Sequence, residues 1–360
     1  MSGTTRPIRF GFCVPIFACP GANLFRTPSY PNLDAATTMG LARVADELGY
    51  DSLWVADHLM LGKDDAILEG WTVLAALTGA THNAKLGMIH QALLFRNPAL
   101  AAKMAATLDQ ISGGRLIHFM DFGHMGREYV AYGLPWDDNL DLRTARLAEA
   151  IELILALWTN DTPMSRDGPT YRLRDAVCNP KPLQQPHPPL WFGEASPGIL
   201  DICARYGQGW NTTPVSVGEV RRRLDALAAA CDRIGRSMSE IEKSLEMQVL
   251  VAPNRDALRA RLGEMVALAP RGGSMPGEIE PFLARYGADP ELLAFIDGDR
   301  EAIPAAMADD WIIGTPDEVT RRLREYVEVG IEHFLLWFMD APHEDGLRLF
   351  MSDVVPRFRA

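Results

Sequence analysis

The sequence predicts an α/β fold, a (β/α)₈ TIM barrel formed as one domain over residues 1–360. Segments that are apolar on both faces alternate with amphipathic helical stretches, the pattern of a parallel sheet covered by helices. Eight strand candidates can be counted, the number that closes such a barrel. A doubly wound open sheet is the runner-up, but no GxGxxG follows the first strand.

Each element has its own warrant. "IRFGFCVP" (Ile8 to Pro15) reads as the first buried strand, and "NLDAATTMGLARVADELGY" as an amphipathic helix stopped by Gly49. "DSLWVADH" is the second strand, followed by the helix "GWTVLAALTGATH". "KLGMIHQALL" is the third, and the helix "NPALAAKMAATLDQIS" carries Pro98 in its first turn, where a missing N–H costs nothing. "RLIHFM" is the fourth, and "LRTARLAEAIELILALWT" packs Ile151, Leu155 and Trp158 along one side. "PLWFG", "ARYGQGWNTTP", "LEMQVLVA" and "IEHFLLWFM" complete the set. Thr315-Pro316-Asp317-Glu318 is a capping box that opens a late helix. Two excursions break the rhythm, 160–189 with a possible small hairpin and 268–310, and both are expected as insertions at the carboxyl-terminal face.

Composition narrows the function classes. The formal charge is −12, which repels phosphate backbones and anionic lipids, so neither nucleic acid nor membrane is expected as a partner. Five scattered cysteines without CxxC spacing suggest a reducing compartment, and with no apolar leader the expected location is cytoplasmic. There is no HExxH, GxSxG or Walker loop and no metal-ligand spacing, so no metal is expected.

In a barrel the active site gathers at the carboxyl ends of the strands. Those ends carry Phe17, Asp57, His58, Ile89, His90, Asp121 to His124, Gly193 to Ser196, Trp210 and Asp340. Most have a structural alternative: His58 as a cap, His90 as a hydrogen-bonded core histidine, Trp210 as a barrel plug. His118, in mid-strand, reads as structural, and Gly113-Gly114-Arg115 as a helix stop with a loop-pinning arginine. "GEASPG" places small residues and a hydroxyl at a helix N-terminus, which suits an anion but also fits an ordinary serine cap.

The segments "LGYDSLWVADH", "FRNPALAAKMAATLDQISGGRL", "REYVAYG", "PLWFGEASPGILDICARYGQGW" and "IIGTPDEV", in this order, resemble the luciferase-like monooxygenases over nearly the whole chain. The resemblance implies FMN or a deazaflavin coenzyme at the carboxyl face of the barrel, and a homo-oligomer. It implies that Asp57 and His58 lie near flavin and substrate, and that Ile89 and His90 occupy the place of a non-proline cis peptide beneath the flavin ring. Asp121 matches the position of the reactive cysteine of bacterial luciferase. Gly193, Glu194, Ala195 and Ser196 match the loop that holds the flavin phosphate. Two departures stand out. Phe122 replaces an arginine that meets the phosphate, and Glu194 replaces a small residue. The amides of Ala195 and Ser196, the Ser196 hydroxyl and His124 then take over that work.

The resulting expectation is a flavin-dependent monooxygenase that takes reduced FMN from a separate reductase and uses O₂ on a small, neutral organic substrate. His58, His90 and Asp121 are the candidate proton-transfer groups, and Phe17, Phe122 and Trp210, with Trp337, the apolar substrate lining. The alternatives are a deazaflavin-dependent dehydrogenase or reductase on the same barrel and a flavin-binding protein without turnover.

Overall fold

The computed structural model of the chain describes residues 6–22, 29–268 and 289–359. Four strands come first: β1 (Arg9–Cys13), β2 (Ser52–Ala56), β3 (Lys85–Ile89) and β4 (Leu116–Met120). A hairpin of β5 (Met164–Asp167) and β6 (Arg172–Ala176) follows. Then come β7 (Leu190–Gly193), β8 (Gly209–Thr212), β9 (Glu242–Val251), β10 (Ile312–Gly314) and β11 (His333–Phe338). The ring runs β1-β2-β3-β4-β7-β8-β9-β11 and returns to β1, parallel throughout, which is a closed (β/α)₈ barrel. All eight expected strands are present. The short β10 is an addition, paired with the last residues of the long β9 outside the ring.

The helices end where their residues dictate. Gly49 and Gly113 close their helices in the left-handed conformation, and the Thr315–Glu318 capping box is formed. Arg115 bonds the carbonyls of Thr78, Thr81, Ala84 and Ser112, so it pins the loops at the amino-terminal face as expected.

Inside the barrel the side chains lie in layers. Near the amino-terminal face, Trp54 Nε1 donates to Ser52 Oγ, which bonds His333, and His333 bonds Glu242. Above them Trp54 and Trp191 fill the centre, ring centroids 5.2 Å apart, with Phe119 edge-on to Trp54. The Trp54 ring needs a glycine on the next strand, because a Cβ on Gly87 would stand 2.2 Å from it. This aromatic floor carries the residues at the strand ends.

One expectation about the insertions is corrected. Residues 160–189 join the end of the helix Leu140–Thr159 to the start of β7, and a segment between a helix and a strand lies at the amino-terminal side. Gln184 accordingly bonds Asp109 and the Leu116 carbonyl at the start of β4. The hairpin packs along the outside of that helix through Arg166–Glu152 and through Glu149, which accepts from the Thr170 and Tyr171 amides. Of the excursion 268–310, residues 269–288 lie outside the described residues. No helix among the described residues is long and apolar enough to cross a membrane.

Candidate active site

Where β3, β4 and β7 end, beside the middle of β9, the barrel brings together His90, Asp121, His124, Gly193, Glu194 and Glu246. Asp121 is fully buried; its Oδ2 meets His124 Nε2 at 2.9 Å and His90 Nδ1 at 3.5 Å, and its Oδ1 accepts from the Gly123 amide. Burial alone would raise the Asp121 carboxyl, but His124 and His90 outweigh it and hold the group well below the usual carboxylate range. The second ring nitrogen of His90 lies 2.9 Å from Glu246 Oε2, and the other oxygen of Glu246 accepts from Trp337 Nε1 at 2.6 Å. His90 stands edge-on over Phe119, centroids 5.2 Å apart.

The backbone is forced into this arrangement. His90 leaves β3 with φ 51°, and Glu194 leaves β7 with φ 75°, both in the left-handed region. Such conformations cost about 1–3 kcal/mol each in a non-glycine residue and cluster at functional sites. Among the described residues cis peptides occur only before Pro180, Pro186 and Pro342, so the expected cis bond between Ile89 and His90 is instead trans, and the turn is made at His90 φ. Gly193 permits the close approach of strands here, since a Cβ on it would lie 2.8 Å from Phe119 and 3.0 Å from His90 Nδ1.

Other expected residues have different neighbours. Asp57 is buried, paired with the Arg96 guanidinium at 2.8 Å, and accepts from the Ala92 amide. Burial raises its carboxyl, with Arg96 opposing the rise. It thus anchors the loop after β3. His58 forms a second centre, Nδ1 3.1 Å from the buried Glu128, which also accepts from the Met60 amide. Ile89 and Phe17 are buried, and Phe17 lies 6.2 Å from Trp337. Trp210 is fully buried and donates to the Glu194 carbonyl at 2.9 Å, which makes it the support of the β7 loop. His118 is enclosed between Trp71 and Trp158, and burial pushes its imidazole down to about 3, so it is a neutral core group.

The "GEASPG" loop does open a helix, Pro197–Tyr206, with Ser196 at its cap position. Ser196 makes no capping bond; its Oγ is buried without a hydrogen-bond partner. Beside it lies the start of the helix Leu140–Thr159: a Cβ on Gly198 would stand 2.8 Å from the Thr144 methyl. The adjacent Arg143 donates to the Gly123 carbonyl at 2.7 Å and lies over the rings of Trp136 (4.3 Å) and Phe122 (5.1 Å). Its Nε is likewise buried and unpartnered. An unpaired hydroxyl, an unpaired guanidinium N–H and free helix-end amides make a fitting cradle for a phosphate. Arg143 thus brings a positive charge over the Phe122 ring from another helix.

Four residues of this region escaped the sequence reading: Glu246, Glu128, Arg143 and Arg96. Glu246 had a legible signal, because Ser244, Glu246 and Gln248 alternate polar groups through a strand otherwise buried. The others lie in helices or loops whose approach to the mouth is a tertiary property.

Comparison with known proteins shows the family and the fold. The profile of the luciferase-like monooxygenases matches residues 10–333. The FMNH(2)-dependent dimethylsulfone monooxygenase of Pseudomonas putida is 27% identical, covering 99% of this chain and 96% of its own. The phthiodiolone/phenolphthiodiolone dimycocerosates ketoreductase of Mycobacterium bovis (strain BCG / Pasteur 1173P2) is 29% identical, covering 85% of this chain and 87% of its own. Among solved structures, an F420-dependent secondary alcohol dehydrogenase in complex with an F420-acetone adduct superposes with a TM-score of 0.73 at 19% identity, covering 98% of this chain and 100% of its own. The chain belongs to the luciferase-like monooxygenase family.

Proposed function

We propose that the protein is a flavin-dependent oxidoreductase, and specifically a monooxygenase that uses reduced FMN and O₂ on a small, neutral organic substrate. The observation that carries this reading is the phosphate cradle. Ser196 Oγ and Arg143 Nε are buried polar atoms without partners, and Ser196 stands at the N-terminus of the helix Pro197–Tyr206. FMN ends in a phosphate, and a relative that spans nearly the whole chain is an FMNH(2)-dependent dimethylsulfone monooxygenase. Glu194, Ala195 and Ser196 would hold the phosphate end, with Glu194 directing its backbone there and its carboxylate away. Ile89, His90, Asp121 and His124 would border the ring.

Bound reduced FMN would supply the electrons for O₂ activation, one oxygen atom entering the substrate and the other leaving as water. The remaining work belongs to the chain. His90, flanked by Asp121 and Glu246, holds a proton at a ring nitrogen beside the strand ends. His58, held by Glu128, presents its other ring nitrogen, Nε2, as a second proton-exchange position. Phe17, Phe122 and Trp337 keep the lining apolar, which limits water around the reacting groups. Reduced FMN is expected from a separate reductase, and the protein is expected to act as a homo-oligomer.

A second reading has its own support: an F420-dependent glucose-6-phosphate dehydrogenase of Beutenbergia cavernae is 29% identical, covering 88% of this chain. F420 is a deazaflavin and also carries a phosphate, so the cradle suits it, and that enzyme class transfers hydride without O₂. The test is an oxygen-electrode assay with FMN kept reduced by an added reductase, over a panel of neutral ketones, sulfones and heterocycles. Substrate-stimulated O₂ uptake matched by oxygenated product is the expected result. Oxidation of the corresponding alcohols with oxidised F420, or reduction of the ketones with reduced F420, under anaerobic conditions and with no turnover on FMN, would replace the monooxygenase by the dehydrogenase or reductase.

A further inference from the structure

We propose that His90, His124 and Glu194 form a binding site for one first-row divalent transition-metal ion at the barrel mouth. Sequence spacing gave no hint of it, because the three residues follow three different strands and meet only when the barrel closes. One ligand atom from each lies within 4.8 Å of the others. Two donors bound tetrahedrally to the same Zn²⁺ at about 2.0–2.2 Å stand roughly 3.3–3.6 Å apart. Small side-chain rotations of His124, 40% exposed, and of the half-buried Glu194 therefore bring the set to bonding distance.

The second argument is the arrangement behind the ligands. A metal-bound histidine characteristically donates its other ring N–H to a carboxylate, which fixes the ring and raises its basicity. Both histidines here have that partner. His124 Nε2 meets Asp121 Oδ2 at 2.9 Å, which directs its Nδ1 away from the carboxylate. His90 Nε2 meets Glu246 Oε2 at 2.9 Å, and its Nδ1 lies on the Gly193 side, where it also faces Asp121 Oδ2 at 3.5 Å. Glu194 is held by its left-handed φ of 75° and by the Trp210 bond to its carbonyl. Two imidazoles and one carboxylate with open positions beyond them are the donor set of Zn²⁺, Co²⁺ or Ni²⁺, and a poor one for Mg²⁺, which prefers oxygen. Three carboxylates, Glu194, Asp121 and Glu246, around two imidazoles add a negative field that favours a cation.

This inference does not rest on the flavin reading, although His90 and Asp121 serve both. It is tested on the full chain, washed with chelator and free of flavin, by calorimetric titration with Zn²⁺ and by the visible absorption of added Co²⁺. The expected result is one ion per chain, visible Co²⁺ bands of a site with nitrogen ligands, and no response to Mg²⁺. His124→Ala and Glu194→Gln should each weaken Zn²⁺ binding at least tenfold, and Asp121→Asn by a similar factor through ring orientation. Thermal melts of the metal-free variants matching the wild type show that folding is intact. Absence of saturable Zn²⁺ binding, or binding that survives the His124→Ala/Glu194→Gln double substitution, overturns the proposal. Failure of FMN to bind a protein that still binds Zn²⁺ counts against the flavin reading alone.

Discussion

Replacing Ser196 by alanine separates the phosphate cradle from every other part of the site. In the structure the Ser196 Oγ is buried with no hydrogen-bond partner and caps nothing, so its removal leaves no broken bond in the free protein. The melting temperature without cofactor should therefore stay within the small range of neutral substitutions, or rise slightly as an unsatisfied hydroxyl is lost. The cost falls on binding. A hydrogen bond to a charged group is worth about 1.5–3 kcal/mol net, which weakens affinity roughly 10- to 150-fold. Fluorescence titration with FMN reads this directly, and riboflavin, which lacks the phosphate, is the control. FMN affinity should fall by that factor while riboflavin affinity is unchanged. Equal losses for both ligands, or no loss for FMN, would refute the assignment of Ser196 to the phosphate.

Three further substitutions probe other parts of the account. His58→Ala should uncouple turnover: O₂ uptake with reduced FMN continues, peroxide rises and product falls by ~10²–10⁴, the usual worth of proton-transfer help, as read by peroxide and product assays on one sample. Gly87→Ala sets a methyl 2.2 Å from the Trp54 ring and should destabilise the barrel by at least about 1–3 kcal/mol in urea unfolding. Asp340 is buried, accepts from the Gly346 amide, and burial pushes its carboxyl up to about 6. Because folding raises this value, its stabilising contribution is present below 3.8 and lost as pH rises through about 6. Asp340→Asn, which keeps an acceptor for Gly346, should thus gain on the wild type by up to about 3 kcal/mol between acid and neutral pH, read from denaturant melts at both.

The barrel was legible because each strand is apolar on both faces and each helix carries its own stop, as at Gly49 and Gly113. The strand ends were legible too, since the fold fixes where the mouth lies: His90, Asp121 and Gly193 stand at the ends of β3, β4 and β7, where position predicts them. What position does not give is orientation. Asp57 looks like a site residue in sequence, yet its carboxylate is committed to Arg96 some forty residues later. Trp210 reads as lining but serves as a strut for Glu194. Arg143 was invisible because it approaches the loop after β4 from a helix, through a contact that no local pattern encodes. The insertion at 160–189 was misplaced for a simpler reason: a segment that leads from a helix into a strand must lie at the opposite end of the barrel from the site.

The central claim is that the cradle at Ser196 and Arg143 serves FMN in a protein that works with O₂. A competition titration of the flavin-free protein with FMN and F420, followed by fluorescence in one experiment, tests it most directly. The account predicts saturable FMN binding that Arg143→Ala weakens, with F420 displacing FMN only in large excess. Tight F420 binding that FMN cannot displace would contradict it.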